Sequence, residues 1–220
     1  MIKRVLSGET THHVACERAE TFIDRIPDGA VSLMTLDFPY FGVKDDAWDN
    51  AWPTPEAFIE WMGGVLAKCR RALAPNGSIY VFAAPQVRGG LTMATRVECE
   101  VARHFSVLNR ITWRKSAGWH EKAEQEAQRG FFPACEVVIF AEHQGAMDFM
   151  RRARQAAGMT AKDATAAAGA HGAANHGGAV SNWEQGLNTP SREQYERLAA
   201  AYPLPPYERA IRPFTVSAAV

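Results

Sequence analysis

The sequence contains no run of about 18 consecutive apolar residues, so no segment reads as a membrane-spanning helix. Its opening Met1-Ile2-Lys3-Arg4 has none of the apolar stretch of a secretory leader. It has no Cys-x-x-Cys pair and no Cys/His cluster at zinc-ligand spacing, which excludes a sequence-evident metal site. The four cysteines, Cys16, Cys69, Cys99 and Cys135, are expected to be core thiols in a reducing, cytoplasmic setting. Neither sign of charge is in excess, with 24 basic against 24 acidic residues, so any nucleic-acid contact must come from a local patch. No glycine loop of the phosphate-cradling kind is present, which argues against a generic nucleotide-binding protein. What remains is a 220-residue chain, 47% hydrophobic and 22% charged, sized for one α/β domain with a small appendage.

The apolar residues are arranged in alternating patterns. Val31 to Leu36 form a short continuous run behind the turn residues Pro27-Asp28-Gly29, which predicts a buried strand ending at Asp37. From Pro55 to Leu73 the spacing becomes helical, with Phe58, Met62, Val65, Leu66, Cys69 and Leu73 on one face, and Pro75-Asn76-Gly77 predicts a turn that stops the helix. Ile79 to Ala83 predict a second strand, completing a βαβ unit. A helix over Met93 to Arg103 and strands at Val107 to Trp113 and Glu136 to Ala141 extend the alternation into a sheet expected to be covered on both faces.

Asp37-Phe38-Pro39-Tyr40 stands at the carboxyl end of the first strand, where ligand groups concentrate in open α/β sheets. A carboxylate, a proline-stiffened turn and an aromatic ring can accept hydrogen bonds from a planar amine while stacking on its face. This DFPY resembles the DPPY motif of the DNA adenine-N6 and cytosine-N4 methyltransferases, departing from it at Phe38. Gly42 to Asn50, Cys69 to Ala83, Ile111 to Lys115, Phe131-Phe132-Pro133 and Glu136 to Phe140 resemble, in order and spacing, the segments that follow that motif. The resemblance implies a Rossmann-like methyltransferase sheet over residues 1–146. It implies S-adenosylmethionine as methyl donor and a base flipped out of double-stranded DNA as substrate. Asp37 would be the amine acceptor, with a lesser part in cofactor binding, Tyr40 the stacking platform, and Phe38 and Pro39 the intervening turn. Adenine is favoured over cytosine because the motif begins with aspartate, and a restriction-modification context is implied. Trp48 and Trp52 read more readily as packing residues than as base contacts. Arg114, Lys115, His120 and Lys122 read either as phosphate contacts or as a solvated charged loop.

Beyond about residue 147 the composition shifts to alanine, glycine, histidine and asparagine. Residues 147–205 predict short helices at Arg151 to Ala157, Ala161 to Ala168 behind the cap Thr160, Val180 to Glu184, and Ser191 to Ala201. This stretch resembles the helix-turn-helix units of phage-type repressors. That implies a target-recognition region with Arg151, Arg152, Arg154 and Lys162 on its basic side, although a small packing or dimerisation bundle has the same pattern. His171 and His176 read as loop residues rather than metal ligands. Family members that open with DPPY carry a glycine-rich cofactor motif later, and here residues 206–220 resemble only the lead-in to it. The expectation is a catalytic half whose cofactor loop comes from a longer or second chain, or a DNA-binding protein without catalysis.

Overall fold

The computed structural model describes residues 2–115, 135–143, 148–170 and 178–211. The chain divides into two compact units, Met1–His143 and Gln144–Val220.

The first unit opens with two short helices, α1 (Ile2–Leu6) and α2 (Ala19–Asp24), neither of which has enough apolar periodicity to announce itself in the sequence. Then come β1 (Val31–Asp37), α3 (Pro55–Ala72), β2 (Leu73–Ala83), the hairpin strands β3 (Val87–Arg88) and β4 (Leu91–Thr92), α4 (Met93–His104), β5 (Ser106–Arg114) and β6 (Cys135–Glu142). Thr54 starts α3 by accepting the Ala57 N–H at 3.1 Å, with Pro55 preset for the first turn. The helix buries the expected Phe58, Met62, Val65, Leu66 and Cys69. Arg71, in its last turn, donates to the carbonyls of Ile23 and Ile26 and to Asp28, tying the approach to β1 onto the helix.

Strand order is β1-β2-β6-β5: β1 runs parallel to β2 through the α3 crossover, and β6 is antiparallel to β2 and β5. The expected turn at Pro75-Asn76-Gly77 is instead a bulge inside β2. Val31 faces Leu73 and Leu33 faces Ser78, so two steps along β1 are matched by five along β2. A Cβ on Gly77 would lie 2.6 Å from the Leu73 side chain and 2.9 Å from the Ala74 carbonyl oxygen, and only glycine fits that crowding.

The expectation of a sheet covered on both faces fails among the described residues. Met34, Ile79, Val81, Ala83, Val137, Ile139 and Ala141 share one face and form a core with α2, α3 and α4. The opposite face carries Leu33, Tyr80, Phe82, Phe140, Ile111 and Trp113, of which Leu33, Ile111 and Trp113 are exposed. β5 is an edge strand exposed from Leu108 onward. The cysteine expectation holds for one residue of four. Cys69 is buried, its thiol pushed up to about 12 by desolvation, while Cys135 is half-buried and Cys16 and Cys99 are exposed. No helix among the described residues is long and apolar enough to cross a membrane.

Glu20 carries a testable electrostatic contribution. Its carboxylate accepts from Arg18 and from the Trp61 indole, each at 2.8 Å, which lowers its pKa to about 2 from 4.5. The folded pKa is depressed, so this stabilisation is complete above about 4.5 and disappears as pH falls toward 2. Glu20→Gln is expected to flatten the fall of the melting temperature across that window, and a thermal-denaturation series in pH checks it. An unchanged slope would remove Glu20 from the acid transition.

The second unit is helical: α5 (Asp148–Ala156), α6 (Ala161–Ala167), α7 (Ala179–Glu184), α8 (Arg192–Ala201) and α9 (Tyr207–Ala210) surround Met150, Trp183, Tyr195, Leu198 and Tyr202. Thr160 caps α6, and Ser191 with Gln194 forms a reciprocal capping box on α8. Arg154, expected on the basic, DNA-contacting side of this unit, is buried. Its Nε and Nη2 donate to Glu184 Oε1 and Oε2 at 2.6 and 2.9 Å, and Nη1 donates to the Met159 carbonyl at 2.8 Å. With its donors committed inside the unit, it is withdrawn from the basic surface.

Candidate active site

Strand register brings the site together. Asp37 pairs with Phe82, which pairs with Val138, which pairs with Ile111, so these residues form one rung on the open face. Because β6 runs antiparallel to β2, its first residues lie at the carboxyl end of β1, and Glu136 and Trp113 form a parallel rung beside Val138 and Ile111 on the same face. A cavity of about 560 Å³ opens there, lined by Asp37, Phe38, Pro39 and Tyr40 from the motif and by Trp48, Asp49, Trp113, Lys115 and Glu136 from elsewhere.

Each motif residue is held differently. Asp37 ends β1 with an exposed side chain. Phe38 is buried and meets Trp61 edge-on at 5.7 Å between ring centres, within an aromatic cluster that includes Trp52 and Phe58. Tyr40 is half-buried, and its hydroxyl donates to Glu136 Oε2 at 3.2 Å. Burial, followed by the charges of Asp37 and Glu136, pushes the Tyr40 phenol well above its ordinary range, which keeps it a neutral ring.

The loop after the motif is bound into itself around one carboxylate. Asp49 is fully buried, with Oδ2 accepting the N–H groups of Val43 and Lys44 at 2.7 Å each while its carbonyl accepts the Gly42 N–H at 3.1 Å. Gly42 has φ of +65°, which permits the tight turn, and Arg88 Nη2 donates to its carbonyl at 2.8 Å. Asp49 Oδ1 is buried against the cavity wall with no hydrogen-bond partner among the described residues. The same loop presents Trp48, which is 53% exposed, whereas Trp52 packs between Phe58 and Trp61 at 5.0 and 4.5 Å. The two tryptophans, read alike from sequence, thus part company.

The basic residues also divide. Lys115 lies in the cavity wall, its Nζ 2.8 Å from Glu136 Oε1 and 3.7 Å from the centre of the Trp113 ring, rather than on an outward surface. Arg114 is exposed on the edge strand. Lys122, His120, Phe131, Phe132, Pro133, His171, His176 and the stretch 212–215 lie outside the described residues. In the second unit Arg151 pairs with Asp148, while Arg152 and Lys162 are exposed.

A carboxylate acceptor and a neutral aromatic ring at the carboxyl end of a strand suit a planar amine. The DNA methylase family model of the N6/N4 type matches residues 31–199. The chain belongs to this family. It is 29% identical over 92 residues to the DNA adenine methyltransferase YhdJ of Escherichia coli K12, an alignment covering 41% of this chain and 29% of the relative, so the chain matches less than a third of that protein. Among solved structures, it is similar to a DNA modification methylase from Thermus thermophilus, with 18% identity and a TM-score of 0.45 over 60% of this chain and 53% of that one. It is also similar to the cytosine-N4-specific PvuII DNA methyltransferase, with 14% identity and a TM-score of 0.45 over 58% and 48%.

Two residues of this cavity wall, Glu136 and Asp49, were not legible as such. Glu136 had a faint signal, a carboxylate heading an otherwise apolar strand. Asp49 had none, because its role depends on backbone amides in a loop whose shape no local pattern specifies.

Proposed function

We propose that the first unit is the base-binding side of a DNA methyltransferase that transfers a methyl group from S-adenosylmethionine to the N6 amine of adenine. The observation that carries this reading is the position of Asp37 and Tyr40 on one wall of the cavity at the carboxyl end of β1. Family membership supports the chemistry, and the similarity to a protein named an adenine methyltransferase supports the target. A base in a duplex hides its amine in pairing, so it must swing out to enter the cavity. In this reading Asp37 accepts one amine hydrogen, the backbone carbonyl of Phe38 accepts another, and Tyr40 stacks on the ring. Oriented acceptors draw the nitrogen lone pair out of ring conjugation, making the amine nucleophilic without a covalent intermediate.

The cofactor fits less completely. The sequence has no Gly-x-Gly turn, and no glycine among the described residues leads from a strand directly into a helix. The described residues therefore account for the base side of the reaction, and the loop cradling the methionine end of the cofactor comes from elsewhere, in a partner chain or another segment. The second unit, with Arg152 and Lys162 exposed, is proposed to contact double-stranded DNA as a helix-turn-helix element.

The test is labelled-methyl transfer to duplex DNA by the chain together with the segment or partner chain that supplies the cofactor loop, followed by nucleoside analysis. N6-methyladenine is the expected product, and Asp37→Ala is expected to lower transfer at least about a hundredfold while leaving salt-dependent duplex affinity unchanged. N4-methylcytosine would move the target to cytosine. Duplex binding without transfer under any cofactor supply would favour a DNA-binding protein that uses the second unit alone.

A further inference from the structure

Lys115 is the feature of the cavity that the amine-holding role of Asp37 leaves unexplained. It follows β5 directly, and its side chain is only 19% exposed. Glu136 joins it to the motif, with Oε1 held by Lys115 at 2.8 Å and Oε2 by the Tyr40 hydroxyl at 3.2 Å. The Tyr40 hydroxyl also interacts with Asp37. Asp37, Tyr40, Glu136 and Lys115 thus form a continuous polar chain on one wall, with an anionic acceptor at one end and a cationic donor at the other. An ammonium has three donors and no acceptor. Glu136 occupies one, and the Trp113 ring steadies the charge from its face. Lys44, which also lines the cavity, is exposed.

We propose that Lys115 is a specificity-determining donor: it hydrogen-bonds the ring nitrogen beside the exocyclic amine, so that Asp37 and Lys115 together read an amine-next-to-acceptor edge. This inference rests on the cavity being the base pocket proposed above. Adenine offers that edge as N6 beside N1, and cytosine as N4 beside N3. Presented by its Watson–Crick edge in the same position, thymine sets O4 against Asp37 and N3–H against Lys115, and guanine sets either O6 against Asp37 or its amine there, with N1–H against Lys115 in both cases. With the exocyclic group of the Watson–Crick edge held at Asp37 by stacking on Tyr40, each of these arrangements leaves at least one charged group facing its own kind, which is how a polar pocket rejects a wrong ligand most strongly. Glu136 is the positioning residue in this arrangement, holding Lys115 against the wall until a base arrives.

The probes are short single strands bearing one base flanked by abasic sites, compared with an all-abasic strand by competition binding to the full chain. Adenine and cytosine strands are expected to bind about tenfold or more tighter than the guanine, thymine and abasic strands. Replacing adenine by 1-deazaadenine, in which N1 becomes C–H, is expected to lose about tenfold in wild type and nothing in Lys115→Met. Lys115→Arg keeps a donor and should restore the difference, which guards against a merely misfolded methionine variant. A wild type that favours adenine over the abasic strand but binds 1-deazaadenine equally well overturns the role of Lys115 alone. Discrimination retained in Lys115→Met does the same. A wild type that binds base-bearing and abasic strands alike removes the base pocket itself, and this inference with it.

Discussion

Replacing Glu184 by alanine is expected to destabilise the second unit by about 3–5 kcal/mol while leaving the stability of the first unit unchanged. The Arg154 guanidinium lies in an interior formed by Met150, Trp183 and Tyr202, and Glu184 is its carboxylate partner there. Taking away that partner strands a buried cation, at a cost of about 3–5 kcal/mol. Small domains have total stabilities of about 5–15 kcal/mol, so a few helices around one core have little margin. The pair is not thereby a large net stabiliser. Exchanging both residues for apolar ones, Arg154→Met with Glu184→Leu, should recover most of the loss. Amide hydrogen exchange across residues 148–211 separates the cases. Protection within about 1 kcal/mol of the parent in Glu184→Ala would show that water or another group already compensates Arg154.

Asp49→Ala should be as damaging to the cavity. Two backbone N–H groups, those of Val43 and Lys44, would lose their acceptor inside a closed turn, at about 1–3 kcal/mol each. The turn then has no reason to keep its shape, and Trp48, one residue before Asp49, loses its place on the rim. Asp49→Asn is the informative companion. Its amide oxygen can still accept both N–H groups, while its –NH2 replaces the oxygen that has no partner among the described residues, Oδ1. Thermal melts together with quenching of the exposed Trp48 by iodide are expected to show a large change for alanine and a small one for asparagine. Equal, small changes in both would mean that the glycine turn and Arg88 hold the loop without the carboxylate.

The contrast between these residues shows where sequence patterns stop. β1, α3 and β2 were legible because each is a continuous or periodic apolar run with its own punctuation, the helical spacing of α3 beginning at Pro55. Pro75-Asn76-Gly77 misled because a turn signature and a wide bulge demand the same backbone freedom, and only the partner strand distinguishes them. Among the described residues, coverage of the sheet was overestimated for a related reason: Tyr80, Phe82 and Phe140 are apolar enough to be buried, and nothing local says what would lie on them. Arg154 looked like surface charge because its partner is thirty residues away, and pairing at that distance is a property of the packed unit. The hairpin of β3 and β4 was missed for its brevity, each strand being two residues long. Asp37 and Tyr40 needed no tertiary information, since the end of a strand is already the place where such groups meet a ligand.

Phe38 has a consequence for when the site comes into being. A proline at that position would stiffen the turn through its own covalent ring, in the unfolded chain as much as in the folded one. A phenylalanine stiffens it only by lodging against Trp61, whose neighbours arrive from α3 and from the loop before it. The turn therefore acquires its order late, after the helix has docked on the sheet, and would surrender it early on heating. A chain with its strands already paired but its aromatic cluster still loose would carry every residue of the motif without the shape of its turn.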